Sequence, residues 1–309
     1  MFLSIVTTTF NNSSTIEKFL LDCSETLDLL KVNDFEVIVI DDGSEVNEAV
    51  QTQEICNSFE KVQLVLLTRN FGHHAALLRG LEQAKGKLIF LIDSDLEEKV
   101  AWLEHLLIAL NDESIDVAYG VQESRRGGFF ERASGALFYW MMKKFMGVAI
   151  PKNFMTVRLM RRGYVDNLLK HRELNLNLSG LLLITGHKQV PIKFKKERLR
   201  RGSYSLGKKV DIFVNAVTSF SEYPLKLVFK LGVFVLISLI IETIILVTRW
   251  LFLSGSPDGW LSIFLVVQLF GGLSLLSIGT VGIYLSKIFL EVKGRPRTLD
   301  LPGRRDVNG

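Results

Sequence analysis

Cysteine is almost absent from this chain of 309 residues, with only Cys23 and Cys56 present. Two thiols without metal-ligand spacing exclude a disulfide framework and suit a reducing cytosol. No sign of charge dominates: 37 Lys and Arg against 33 Asp and Glu leave a net +4. Basic residues are not interleaved with aromatics, so nothing points to nucleic acid, whereas basic residues beside a membrane meet lipid headgroups. Met1 to Phe10 has neither a preceding basic region nor a long apolar core. That argues against a secretory signal and reads as a first strand. There is no internal repeat.

What the chain has is an uneven distribution of apolar residues. From Leu231 to Leu253 it is apolar except for Glu242, Arg249 and a few small polar residues, and Trp260 to Ser286 carries no charge at all. Each run is long enough to cross a hydrocarbon core of about 30 Å as a helix. The linker Ser254-Gly255-Ser256-Pro257-Asp258-Gly259 predicts a tight antiparallel hairpin. Lys226 and Lys230 precede it, and Lys287, Lys293, Arg295, Arg297, Arg304 and Arg305 follow, so positive-inside reasoning puts both termini in the cytoplasm. Arg249 can snorkel to the interface. Glu242, seven residues before it, should face a helix interface rather than lipid, with Gln268 as a further partner, which suggests assembly of copies through the membrane helices. Residues 208–228 read either as an amphipathic helix in the headgroup plane or as an ordinary helix packed on the soluble domain. The expected division is 1–207 soluble domain, 208–228 interfacial segment, 229–290 two transmembrane helices and 291–309 basic tail.

In the soluble part, β-rich apolar runs alternate with amphipathic segments, predicting an α/β domain with a mainly parallel sheet. Strands are expected at Phe2–Thr9, Phe35–Asp41, Val62–Leu67, Lys87–Asp93 and Asp116–Val121. A helix is expected over Thr15–Lys31, and another carries Leu103, Leu106, Leu107 and Leu110. Ligands in such sheets bind beyond the carboxyl ends of the strands. There the sequence places Thr7-Thr8-Thr9, Asp41-Asp42, Thr68-Arg69-Asn70 and Asp93-Ser94-Asp95. Two carboxylates emerging together from the run Leu88–Ile92 repel each other unless a cation joins them. Mg²⁺ or Mn²⁺ with oxygen ligands suits a site that handles phosphates. Taken singly, Asp41-Asp42-Gly43-Ser44 could be only a turn and Asp93 only a helix cap.

These residues resemble the inverting family 2 glycosyltransferases of GT-A fold, in the branch of bacterial polyprenyl-phosphate glycosyltransferases and dolichol-phosphate mannose synthases. The matching pieces run in order from Ser4-Ile5-Val6 and Phe10-Asn11-Asn12 through Asp41-Asp42-Gly43-Ser44, Arg69-Asn70-Phe71-Gly72 and Leu91–Leu96. They continue through Phe138-Tyr139, Arg158-Leu159-Met160 and Thr218–Ser221 to Gly282–Leu285 and Glu291–Pro296. The resemblance implies a GT-A nucleotide-sugar-binding domain followed by a two-helix membrane hairpin. The partners it implies are a nucleotide-sugar donor and polyprenyl (undecaprenyl) phosphate. It implies that Asp41 contacts the base or ribose of the donor, and that Asp95, helped by Asp93, holds the divalent cation on the diphosphate. The candidate donor-binding set is Thr8, Asp41, Asp42, Arg69 and Asp93. Arg125, Arg126 and Arg132, with Arg200 and Arg201 beside them, are candidates for the acceptor phosphate, although a solvated basic loop would look the same.

The chain also departs from that family. Thr156-Val157-Arg158-Leu159 stands where relatives carry Asp-Phe-Arg-Leu, Ser203 stands for a lysine, and Glu97-Glu98-Lys99 replaces Gln-Asp-Pro. A hydroxyl acceptor needs a general base, whereas a phosphate oxygen is already anionic near neutral pH. Loss of the acid at 156 is therefore tolerable for a lipid phosphate and troublesome for a sugar hydroxyl unless Glu131 or another acid substitutes. Adjacent His73 and His74 do not share a helix face, so a joint metal site is not expected and a supporting role is. The rival readings are transfer to a sugar hydroxyl of a lipid-linked oligosaccharide, and a degenerate transferase acting as a membrane scaffold. A processive synthase fits poorly, since no Gln-x-x-Arg-Trp segment is present.

Overall fold

A computed structural model describes residues 2–122, 154–171, 178, 181–182, 185–195, 223–252 and 259–301. The chain divides into two compact units, one comprising 1–143, 148–204 and 295–309, the other 144–147 and 205–294. In the first unit, β1 (Leu3–Thr9), β2 (Phe35–Asp41), β3 (Val62–Leu66) and β4 (Leu88–Leu91) alternate with α1 (Ser13–Leu29), α2 (Val46–Asn57) and α3 (His73–Gln83). A short 3₁₀ turn and α4 (Leu103–Ala109) lead to β5 (Val117–Gln122). Then come β6 (Phe154–Arg161), α5 (Arg162–Leu169) and β7 (Gln189–Phe194).

The sheet order is β3-β2-β1-β4-β6-β5-β7. The pairs β1–β2, β1–β4, β2–β3 and β5–β7 are parallel, while β6 runs antiparallel to both β4 and β5. The expected α/β, mostly parallel, GT-A-like sheet is therefore present, with two further strands and one reversal. Strand β1 is buried at every position, as a central strand covered on both faces should be. Its alternation splits the core: Leu3 and Ile5 join Ile16, Phe19, Phe90 and Leu103 on one face, and Val6 joins Ile38, Ala76, Leu77 and Tyr164 on the other. Helix α1 starts two residues earlier than its expected position, at Ser13. It ends where Lys31 turns left-handed (φ 56°) and the Val32 N–H donates to the Leu27 carbonyl, a Schellman closure.

The segment read as a basic tail does not stand apart from the α/β unit. The Thr68 N–H donates to the Leu299 carbonyl and the Leu301 N–H to the Leu66 carbonyl, both at 2.9 Å, with an antiparallel bridge between Leu67 and Asp300. These bonds cover the open edge of β3, whose backbone groups would otherwise lack partners there. Arg79 on α3 grips Asp300 with two nitrogens, Nε to Oδ1 at 2.9 Å and Nη2 to Oδ2 at 2.5 Å. Arg297 Nη2 donates to the His171 carbonyl.

The second unit contains two long apolar helices, α6 (Tyr223–Phe252) and α7 (Trp260–Val292). Both expose large apolar side chains, Phe234 and Ile244 on α6 and Ile278, Leu285 and Val292 on α7 among them. Among the described residues one stretch, Leu269–Val292, is long and apolar enough by length and composition to cross a membrane, against the two expected from the sequence.

Candidate active site

The parallel register of β1 with β2 and β4 pairs Thr9 with Asp41 and Val6 with Leu91, so three strand ends open on one edge. Beyond them lies a cavity of about 240 Å³ lined by Thr8, Thr9, Phe10, Asn12, Asp42, His73, Asp93, Ser94 and Asp95. Thr8, Asp42, Asp93 and Asp95 are thus brought together as expected. Asp41 is 1% exposed and lies one residue before Asp42. Arg69 is absent from this cavity and lines a neighbouring one with His73.

The two acidic turns are built differently. The Ser44 N–H donates to Asp41 Oδ1 at 2.8 Å, while Oδ2 is buried with no hydrogen-bond partner among the described residues. That oxygen is sealed from solvent, and Asp41, unlike Asp42, does not line the cavity. Burial pushes the Asp41 carboxyl above its ordinary 3.8, against the lowering effect of the Ser44 hydrogen bonds. Asp42 engages both oxygens, accepting the Phe71 N–H at 2.8 Å and the Gly72 N–H at 3.0 Å. It holds the loop that leads into α3. Gly43 between them has φ +72°, and a Cβ there would lie 2.1 Å from the Arg69 carbonyl carbon. Only glycine permits this approach.

A sign follows for Asp41. A carboxyl whose pKa is higher folded than unfolded adds stability below about pH 4; that contribution is lost as pH rises through the raised value. At neutral pH the ionised group costs the fold. Asp41→Asn should therefore melt higher than the wild type at pH 7, with the gap closing toward pH 4. Thermal melts across that range check it. A variant that melts lower at pH 7 would mean that the ionised carboxylate is not the cost.

Beyond the end of β4, Ser94 Oγ donates to the Thr8 carbonyl at 2.7 Å and locks the Asp93-Ser94-Asp95 turn to β1. The Glu97 N–H donates to Asp95 Oδ1 at 3.0 Å, and Leu96 sits at φ 62°, a strained position for a leucine. Asp95 is exposed and Asp93 half-buried. His73, at the start of α3, joins the turns: its Nδ1 is 3.0 Å from Thr8 Oγ1 and its Nε2 3.3 Å from Asp93 Oδ1. Burial pulls its pKa down, but Asp93, with Asp42 and Asp95, outweighs that and raises it. The sequence signal for this role was weak, because spacing alone does not aim His73 at Asp93.

The donor set suits a hard cation. Among the described residues no three His, Cys, Asp or Glu converge as ligands. Mg²⁺ or Mn²⁺ takes one or two carboxylates and leaves the rest of its shell to substrate phosphates and water, and Asp93 and Asp95 offer two such groups. Asp93 and Asp95 would hold it.

Two departures noted in the sequence meet in space. Glu98, 2% exposed, accepts the Thr156 N–H through Oε1 at 3.3 Å, so a carboxylate does reach position 156, from β4's turn rather than from β6. Arg158 is fully buried. It donates to the Thr156 and Met155 carbonyls at 2.9 and 3.0 Å and lies over the Phe154 ring at 4.5 Å. Burial lowers its pKa, against the nearby Tyr164 and Glu98. The acceptor-phosphate candidates Arg125, Arg126, Arg132, Arg200 and Arg201 lie outside the described residues, as do Glu131, Ser203 and 208–222.

Comparison with known proteins adds identity to this geometry. The pattern described as "Glycosyl transferase family 2" matches residues 4–169. A protein named "Putative glycosyltransferases" from Mycobacterium tuberculosis (strain CDC 1551 / Oshkosh) is 36% identical over 299 residues, 97% of this chain and 87% of that relative. The "SfII prophage-derived bactoprenol glucosyl transferase" of Shigella flexneri is 29% identical over 96% of each chain. The "Undecaprenyl-phosphate 4-deoxy-4-formamido-L-arabinose transferase" of Proteus mirabilis (strain HI4320) is 25% identical over 96% of this chain and 91% of its own.

Proposed function

The chain belongs to glycosyl transferase family 2, and from that premise we propose that it moves one monosaccharide from a nucleotide sugar to a polyprenyl phosphate at a membrane surface. One observation carries the choice of acceptor. Similarity to relatives named for bactoprenol and undecaprenyl phosphate extends over 96% of this chain, through both the acidic cavity and the C-terminal apolar helices.

In this reading the donor's nucleoside lies over the β1 and β2 ends, and a small shift of the turn over Asp41 lets its carboxylate accept a hydrogen bond from the base or ribose. Thr8 and His73 line the wall beside it, and Asp93 and Asp95 would hold Mg²⁺ or Mn²⁺. When bound, the cation stabilises the negative charge that builds on the departing nucleoside diphosphate. The acceptor phosphate oxygen attacks the anomeric carbon from the opposite side, the bond to the diphosphate breaks, and the configuration inverts. An anionic phosphate oxygen needs no general base, so this acceptor is compatible with Thr156 with or without action by the Glu98 carboxylate beside it. Arg125, Arg126, Arg132, Arg200 and Arg201 are the cationic residues proposed to meet that phosphate. Helices α6 and α7 form the membrane hairpin, with both termini cytoplasmic by the distribution of lysine and arginine. Glu242 serves contact between copies in this arrangement.

Purified full-length protein in detergent, given nucleotide sugars and undecaprenyl phosphate, should form a lipid-linked monosaccharide with Mg²⁺ or Mn²⁺ and stop when the cation is chelated. Product formed at full rate in chelator counts against the cation. Transfer to a lipid-linked oligosaccharide hydroxyl but not to the phosphate would replace this acceptor with the rival one.

A further inference from the structure

The strap at 295–301 does more than cover a sheet edge. Together with the loop after β3 and the first turn of α3 it borders a second, open cavity of about 490 Å³, lined by Arg69, Phe71, Gly72, His73, His74, Ala75, Arg295, Pro296 and Arg297. Among the described residues that line it, five can carry positive charge and none is acidic. We infer that this cavity is a phosphate-binding site, completed by the strap's arginines, for a ligand that bears a phosphate group next to the acidic cavity.

Three observations support the assignment. First, the basic groups come from two segments far apart in sequence and are held together by specific bonds. The strap is fastened by its two backbone hydrogen bonds to the β3 edge and by the Arg79–Asp300 pair, 221 residues apart. Second, Arg69 is preoriented, its guanidinium lying 4.6 Å from the centre of the Phe71 ring, and Phe71 is itself held through its N–H by Asp42. A stacked guanidinium loses less freedom on binding an anion than a free one. Third, His73 lines both cavities, so it forms the wall between a carboxylate-rich chamber and an arginine-rich one. An anion in this cavity gains charge pairing with Arg69 and Arg295. Guanidinium groups favour phosphate because they donate in pairs to its oxygens. The volume admits a phosphate with part of what it is attached to.

Two sources share this chemistry: the diphosphate of a nucleotide and the monophosphate of a prenyl lipid. The inference rests on the proposed function only for that choice of probes. The test uses the full-length protein in detergent and measures binding of uridine diphosphate and of farnesyl phosphate, with Arg295→Glu, Arg69→Glu and, as an exposed control on α1, Lys18→Glu. Arg295→Glu and Arg69→Glu should each weaken at least one probe about tenfold or more, with Lys18→Glu within twofold of wild type. Loss confined to farnesyl phosphate assigns the lipid, and loss confined to uridine diphosphate assigns the donor. Both probes bound within twofold of wild type by Arg295→Glu and Arg69→Glu overturns the site. Should either glutamate variant fail to fold, Arg295→Gln and Arg69→Gln give the same readout without charge reversal. Because binding is read without turnover, a protein that holds farnesyl phosphate yet transfers nothing to polyprenyl phosphate would sink the proposed function and leave this site standing.

Discussion

Asp95→Ala should reduce sugar transfer roughly a thousandfold while leaving the fold in place. The size follows from where the charge goes. In the proposed reaction the nucleoside diphosphate acquires negative charge as the sugar leaves, and the candidate cation that would offset it depends on two carboxylates. Removing the exposed one leaves Asp93, which His73 Nε2 already approaches at 3.3 Å. The folding cost is small by comparison: Asp95 is exposed, and the Glu97 N–H that it accepts can turn to water, a loss of about 1 kcal/mol. Initial rates at saturating donor, titrated with Mg²⁺, should show the loss, and a melt within a few degrees of wild type should show that the protein is intact. A variant that keeps more than about a tenth of the wild-type rate would remove Asp95 from the proposed chemistry.

The second large effect is on stability. Gly43→Ala should cost about 3 kcal/mol or more, seen as a melting temperature lower by roughly 6–12 °C. The added Cβ would lie 2.1 Å from the Arg69 carbonyl carbon and 2.5 Å from both Arg69 Cα and Asn70 N. These are backbone atoms, so no side-chain rotation clears the space, and φ +72° adds its own penalty for a residue with a Cβ. Relief would require the loop at 69–72 to move away, and Asp42 holds that loop by two N–H groups. On the proposed function nucleotide binding should fall with stability, because Asp41 and Asp42 immediately precede the substitution. Gly163→Ala on α5 is the matched control: nothing lies within 4 Å of a Cβ there, and the helix should gain slightly from alanine. Equal melting temperatures for the two variants would show that the close approach of the two loops is not maintained in solution.

Legibility of the site varied with the range of the interaction that makes each part. The DSD turn was readable because a buried apolar run ending in two acids is a local pattern, and the same holds for Asp41-Asp42-Gly43-Ser44 after β2. Strand β6 was not. Its residues Phe154–Arg161 include a buried arginine, and nothing in their spacing says that they reverse direction and enter between β4 and β5. Asp42 illustrates an intermediate case: its place at the strand end was expected, but its use as a clamp on Phe71 and Gly72 depends on a loop 29 and 30 residues away.

The sequence by itself determined the α/β class, the strand ends where acids collect, the apolar C-terminal third and the family resemblance. Periodicity and polarity at strand ends are set by burial of the residues themselves and need no knowledge of partners. The tertiary structure alone decided that His73 bridges Thr8 and Asp93, that Glu98 reaches position 156, and that the basic segment after α7 pairs with β3 to face Arg69. Each of those depends on contacts between distant parts of the chain, whose energies are settled only when strands and helices have packed, so no local pattern encodes them.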